Sequence, residues 1–243
     1  MTKKQNTIAK IVGILAILSA VLSLGAWVYS QLAVQVIVHW EMMGVSGFIV
    51  QFIKALLSGF LGQIISVLPS VLFAIYALFL YSKNKNNKLL PISFVVMALS
   101  TLFSMVTTSF NAITMLTQGA SVRNVLTYAP TLIVSLIFIV LSVVLAVDAF
   151  ANFKFLIISR IVVIIKLALP LAASVLSILA LVFAGIVLLF DSSYSFVGFL
   201  QLSATTLPVL VSLIMPAALV LFYFACLKKE KAEEVYAEEQ IQE

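Results

Sequence analysis

Few side chains in this sequence could do chemistry in an apolar setting, and Asp148 comes first. It stands in "LSVVLAVDAFANF" (141–153) and is the only acid inside an apolar run. Such a group is either a proton- or ion-coupling site or one half of an ion pair that clamps neighbouring helices. Counted from Ala129, Asp148 falls in the last turn of its apolar segment, where a helix end carries partial negative charge and disfavours a carboxylate. It should therefore want a cation, and Lys154, Arg160 and Lys166 are the nearby ones. An ion pair from Asp148 to Lys154 or Lys166 is the favoured reading. Lys166 lies five residues past Ile161, so its stem can carry the ammonium back to the interface.

The remaining candidates are hydroxyls and amides. Ser93, Ser100, Ser104, Thr108 and Asn111 are spaced 7, 4, 4 and 3 residues apart, which places them on one helix face. They form either a hydrated path or a helix–helix seam, and the seam is favoured because small hydroxyl residues let helices approach closely. Gln63, Ser66 and Ser70 share a face, and Gln201, Thr205, Thr206 and Ser212 sit in the last apolar segment. Pro69, Pro170, Pro208 and Pro216 each remove a backbone donor within an apolar run. Pro208 and Pro216, close to Thr205 and Thr206, make the last segment the one expected to bend.

The chemistry of hydrolases is missing. There is one His, no HExxH, no G-x-S-x-G and no glycine-rich phosphate loop. His39, Trp40 and Glu41 form "HWE", too few ligands for a metal. Trp40 at that level suits an aromatic belt. No catalytic residue, metal or cofactor is expected. Cys226 is the single cysteine, which excludes an internal disulfide; it reads as a packed or lipid-facing residue, with palmitoylation as the functional option.

The elements that carry these residues follow from composition. Of 243 residues, 63% are hydrophobic and 9% charged, with mean hydropathy +1.23. Soluble domains carry roughly a quarter charged residues, so the solvent here must be lipid. Basic residues are scattered between apolar runs and form no aromatic-interleaved face, which argues against nucleic acid. Six runs are long enough to span about 30 Å of hydrocarbon as helices. Their limits are 9–30, 62–82, 89–112, 129–150, 161–190 and 200–227. Strands of alternating polarity, as in a barrel, are absent. The expected fold is an all-α polytopic bundle of six transmembrane helices, one domain over 1–227, followed by a charged tail at 228–243.

Twelve of the fourteen basic residues fall at the N-terminus, in "KNKNNK", around 154–166 and after 227. Only Lys54 and Arg123 fall on the other side. By the positive-inside rule both termini are cytoplasmic. The expected location is a plasma membrane, of bacterial type. The start resembles a signal peptide, with a small-x-small triplet at Ser23-Leu24-Gly25, but the apolar run continues through Trp27 and Val28, which favours an uncleaved first span.

The segment 31–60 is too polar to span. Phe48, Phe52, Ile53, Leu56, Leu57 and Phe60 recur at helical spacing, which predicts an outer interfacial helix, with Gly44 and Gly47 breaking the chain before it. The chain also echoes itself. "SVLPSVLFAIYALFLYSKNK" (66–85) resembles "SLIMPAALVLFYFACLKKEK" (212–231), proline to proline and tyrosine to tyrosine. "KIVGIL" (10–15) resembles "RIVVII" (160–165). Three hairpins, with the first and third related, is one reading; cheap alignment between apolar sequences is the other. Parallel repeats of this kind occur in transporters.

The leading expectation is a non-enzymatic small transporter or transport-accessory, permease-like component. The alternative is a structural or regulatory membrane protein: an immunity, scaffold or assembly factor that binds a partner through 31–60 or the acidic tail. "KNKNNK" is too short to dock an ATPase, which weakens an ABC-type permease. Expected partners are the lipid bilayer and either a second copy or another membrane protein. The sequence names no substrate.

Overall fold

A computed structural model of the chain describes residues 3–83, 87–119, 126, 128–190 and 196–227. Arg123 and the tail 228–243 lie outside the described residues, as do the side chains of His39, Trp40, Glu41 and Gln201. All regular structure among the described residues is helical. Six helices are long and apolar enough to cross a membrane: Lys4–Ala33, Gly59–Leu80, Leu89–Thr117, Ala129–Phe150, Leu156–Val187 and Leu202–Cys226. They are numbered here as spans one to six. The chain is a multi-pass helical membrane protein. In lipid the backbone must satisfy itself, and only helices do so within a single segment.

Spans one and two belong to one helical stretch, Lys3–Ile75, which closes with a π-helical turn at Tyr76–Leu80. The backbone stays helical through Gly44 and Gly47, where a break was expected. The two arms nevertheless return on each other. Gln63 Nε2 donates to the Ser23 carbonyl at 3.2 Å, and Gly59 faces the Trp27 ring. Both pairs are symmetric about residue 43, so the reversal is centred beside Gly44. Segment 48–60 is helical, as its periodicity predicts, but it continues into span two and is not a separate element. Nearer the termini, Gly13 packs so closely on span two that a Cβ there would sit 2.5 Å from Leu78 Cγ.

Span six bends where its prolines predict. Helix Phe196–Val211 ends, and a second helix, Ile214–Leu221, begins two residues later. Pro216 has no N–H to offer the Ser212 carbonyl, and its ring crowds that carbonyl. The chain crosses the gap with a tighter bond, Leu213 N–H to the Leu210 carbonyl at 3.2 Å. Pro69 and Pro170 are absorbed without a break.

Span six also closes in a π-helical turn, Phe222–Cys226. The two π turns, Tyr76–Leu80 and Phe222–Cys226, follow Pro69 and Pro216 at nearly the same distance, within the two echoing stretches. They meet in the core. Phe222 stacks edge-on with Phe73, Tyr76 and Tyr81 at centroid distances of 5.4, 5.9 and 5.6 Å. Such edge-to-face pairs add to what area burial alone provides. Ala9, Val12 and Ala16 of span one, Phe94 of span three, Leu145 of span four and Val163 of span five complete the cluster. The core thus lies at the end of the bundle that carries the start of span one, the end of span two, the corner 151–155 and the end of span six. Among the described residues most lysines and arginines lie at this end, which is called the basic end below.

Candidate functional site: two buried polar rungs between spans four and five

The corner after span four is built by its backbone. Asn152 and Phe153 both adopt left-handed conformations, φ 54° and 61°. Asn tolerates that region well; Phe does not, and its ring packing must hold it there. Asn152 N–H bonds the Ala149 carbonyl at 3.3 Å, and Phe153 N–H bonds the Asp148 carbonyl at 2.8 Å. This is a Schellman arrangement, which satisfies the last carbonyls of span four and turns the chain sharply. Phe153 then packs against Tyr223, ring centroids 6.2 Å apart.

The sharp turn brings Asp148 to the start of span five. Its side chain is 1% exposed. Oδ1 accepts the Phe155 N–H at 2.7 Å, and Oδ2 accepts the Ser159 hydroxyl at 2.5 Å. Span five begins at Leu156, so this carboxylate lies at a helix N-terminus. There the dipole is positive and backbone donors are free. Its own helix offers Asp148 only a negative end, where a carboxylate would need a cation. The fold gives it the positive end of the next helix instead.

The expected ion pair is accordingly not formed. Among the described residues Asp148 has no cation at ion-pair distance; its partners are an amide and a hydroxyl. Lys154 is exposed at the corner. Lys166 points elsewhere and does not snorkel. It is 2% exposed, and its Nζ donates to Ser142 Oγ at 2.7 Å and sits 4.9 Å from the centroid of the Phe138 ring. Ser142 in turn donates to the Phe138 carbonyl at 2.7 Å. Lys166 lies ten residues past Leu156, about 15 Å along span five at 1.5 Å per residue.

Two polar rungs therefore join spans four and five: Asp148 with Ser159, and Ser142 with Lys166. They lie seven residues apart on span five, about 10 Å along the helix. Between them is an apolar layer of buried Leu145, Ala146, Val162 and Val163. Acid and base share one seam without neutralising each other.

Arg160, a candidate cation for Asp148 on sequence, holds span six instead. Its Nε donates to the Tyr223 carbonyl at 3.2 Å and its Nη2 to the Leu227 carbonyl at 3.0 Å, with the guanidinium 5.1 Å from the Phe224 centroid. Tyr81 Oη donates to the Cys226 carbonyl at 2.9 Å, and Gln5 Nε2 approaches the same oxygen at 3.4 Å. The carbonyls at the end of span six are thus capped by spans one, two and five, with a cation at the favourable pole. Cys226 is a buried packing residue. The Tyr223 hydroxyl is buried with no hydrogen-bond partner among the described residues.

The polar stripe of span three does not stay on one wall. Ser93 is fully buried and donates to its own helix at the Leu90 carbonyl, 2.6 Å away. Ser100 and Thr108 are half-buried, while Ser104 and Asn111 are exposed. Thr205 and Thr206 both donate to the Leu202 carbonyl, at 2.9 and 2.8 Å, within their own helix. Ser174 of span five reaches the Val209 carbonyl at 3.3 Å, next to the break in span six. The structure does not bring the span-three stripe together with Thr205 and Thr206.

Ser142, Ser159, Phe138 and Tyr223 escaped sequence reasoning. The available signal was the register. Once Asn152 marks an abrupt corner, antiparallel pairing sets 148 against 159 and 142 against 166.

The fold and its buried rungs define a class, the six-span helical membrane proteins. Beyond that class, no family model, curated protein or solved structure matches the chain.

Proposed function

We propose that the protein is a non-enzymatic transporter or transport-accessory (permease-like) component of a plasma membrane. The observation that carries this reading is Lys166. A basic side chain buried within span five, with no acid partner among the described residues, is costly to hold in a bilayer and marks substrate or ion pathways. Interrupted span six supports it, since broken helices free backbone groups for ligands in transporters. So do the paired π turns, because π turns recur at functional sites. We read hairpins one and three as an internal duplication, on the strength of the two proline-to-π-turn stretches that meet in the core. Both termini are assigned to the cytoplasm on the distribution of lysine and arginine.

The test needs no substrate. In a Cys226→Ala background, Ser142→Cys and Ser174→Cys are each exposed to a membrane-impermeant thiol reagent from either side. Alternating access predicts labelling from both sides. Protection from both sides would sink the transport reading.

A second reading, a scaffold or regulator that binds a partner protein, is favoured by one observation. Ile49, Ile53 and Leu57 form an exposed apolar stripe on the helical stretch between spans one and two. Co-purification from native membrane that depends on this stripe would replace the first reading with the second.

A further inference from the structure

A groove of about 290 Å³ opens between spans four and five at the basic end, lined by Val143, Val144, Val147, Asp148, Phe155 and Ile158. Asp148 closes its inner end, but both carboxylate oxygens are turned to the Phe155 amide and the Ser159 hydroxyl. The walls are apolar, and Val143, Val147, Phe155 and Ile158 are exposed around it. Lys154 stands one residue before Phe155, exposed and without a partner among the described residues. The other cation near the corner, Arg160, is committed to the carbonyls of Tyr223 and Leu227. A second apolar groove, lined by Leu102, Met105, Val106, Ser109, Phe110 and Ile113, lies on span three, which carries no charged residue from Leu89 to Thr117.

We propose that the groove between spans four and five holds an acyl chain of an anionic phospholipid, with its headgroup against Lys154. The apolar walls match the chain. The exposed lysine at the corner after span four supplies the charge complement that the span-three groove lacks. The Schellman turn at Asn152 and Phe153 sets Lys154 at the corner, immediately before Phe155 of the groove wall.

Full-length protein in mild detergent is titrated with phosphatidylglycerol or phosphatidylcholine and followed by native mass spectrometry. One lysine at a charged surface favours an anionic lipid by about fivefold, so phosphatidylglycerol should bind about that much more tightly. Lys154→Gln should abolish the preference while leaving phosphatidylcholine unaffected. Val147→Phe should fill the groove and lower binding of both lipids; Val143→Phe, on the same wall, is the second variant should the first aggregate. Equal binding of the two lipids would overturn the proposal. So would a preference that survives Lys154→Gln, binding unchanged by either phenylalanine, or full displacement by inorganic phosphate, which would indicate an anion site with no acyl chain.

Discussion

Replacing Asp148 tests whether a helix cap or an ion pair holds spans four and five together. In Asp148→Ala the Phe155 N–H and the Ser159 hydroxyl both lose the buried carboxylate that accepts from them. Hydrogen bonds to charged groups are worth about 1.5–3 kcal/mol each, and losing an N-cap residue costs about 0.5–2 kcal/mol. These overlap, because the bond to Phe155 is the cap, so a total loss of about 3 kcal/mol is expected. Asp148→Asn keeps one acceptor oxygen for Phe155 and lets Ser159 accept from the new amide. It loses mainly the charge at the helix N-terminus, about 1 kcal/mol. Reversible unfolding in mixed micelles measures both. The decisive measurement is a pair of double-mutant cycles. Asp148→Ala with Ser159→Ala should couple by about 1 kcal/mol or more, whereas Asp148→Ala with Lys166→Met should couple by less than about 0.5 kcal/mol. The reverse ranking, or an Asp148→Ala variant as stable as the wild type, would refute the cap.

Two further outcomes follow from the same packing. Lys166→Met should leave stability unchanged or raise it by about 1–3 kcal/mol, because a buried basic group with no acid partner among the described residues is replaced by an apolar chain of similar length and Ser142 keeps its bond to the Phe138 carbonyl; micellar unfolding checks it, and a loss above about 1 kcal/mol would mean that the ammonium is structural. Gly13→Ala should destabilise by about 1–3 kcal/mol through contact with Leu78, while Gly25→Ala, which meets nothing within 4 Å, should stabilise by up to about 1 kcal/mol. The same unfolding assay separates the two glycines.

Solvent and local covalent geometry act on each segment alone, so what depends on them was legible without the fold. Lipid forces helices about 20 residues long, so six apolar runs became six spans with closely matching limits. Proline's missing N–H is a local fact, and span six breaks between Pro208 and Pro216. Gly44 was read with less success: the reversal is centred beside it, but the backbone there stays helical. Partner choice was not legible, because it depends on which helix end meets which. Asp148 looked unfavourably placed while only its own helix was in view, and the corner at Asn152 and Phe153 delivered it to the N-terminus of span five. Lys166 looked free to reach the interface, and the packing of span four against span five fixed it on Ser142 and Phe138. The span-three stripe has one angular phase along its length, yet burial changes from Ser93 to Asn111, since exposure depends on where neighbouring helices lie. Periodicity fixes a residue's direction from its own axis; only the tertiary structure decides what stands in that direction, and for a charged group in lipid that sets the energy.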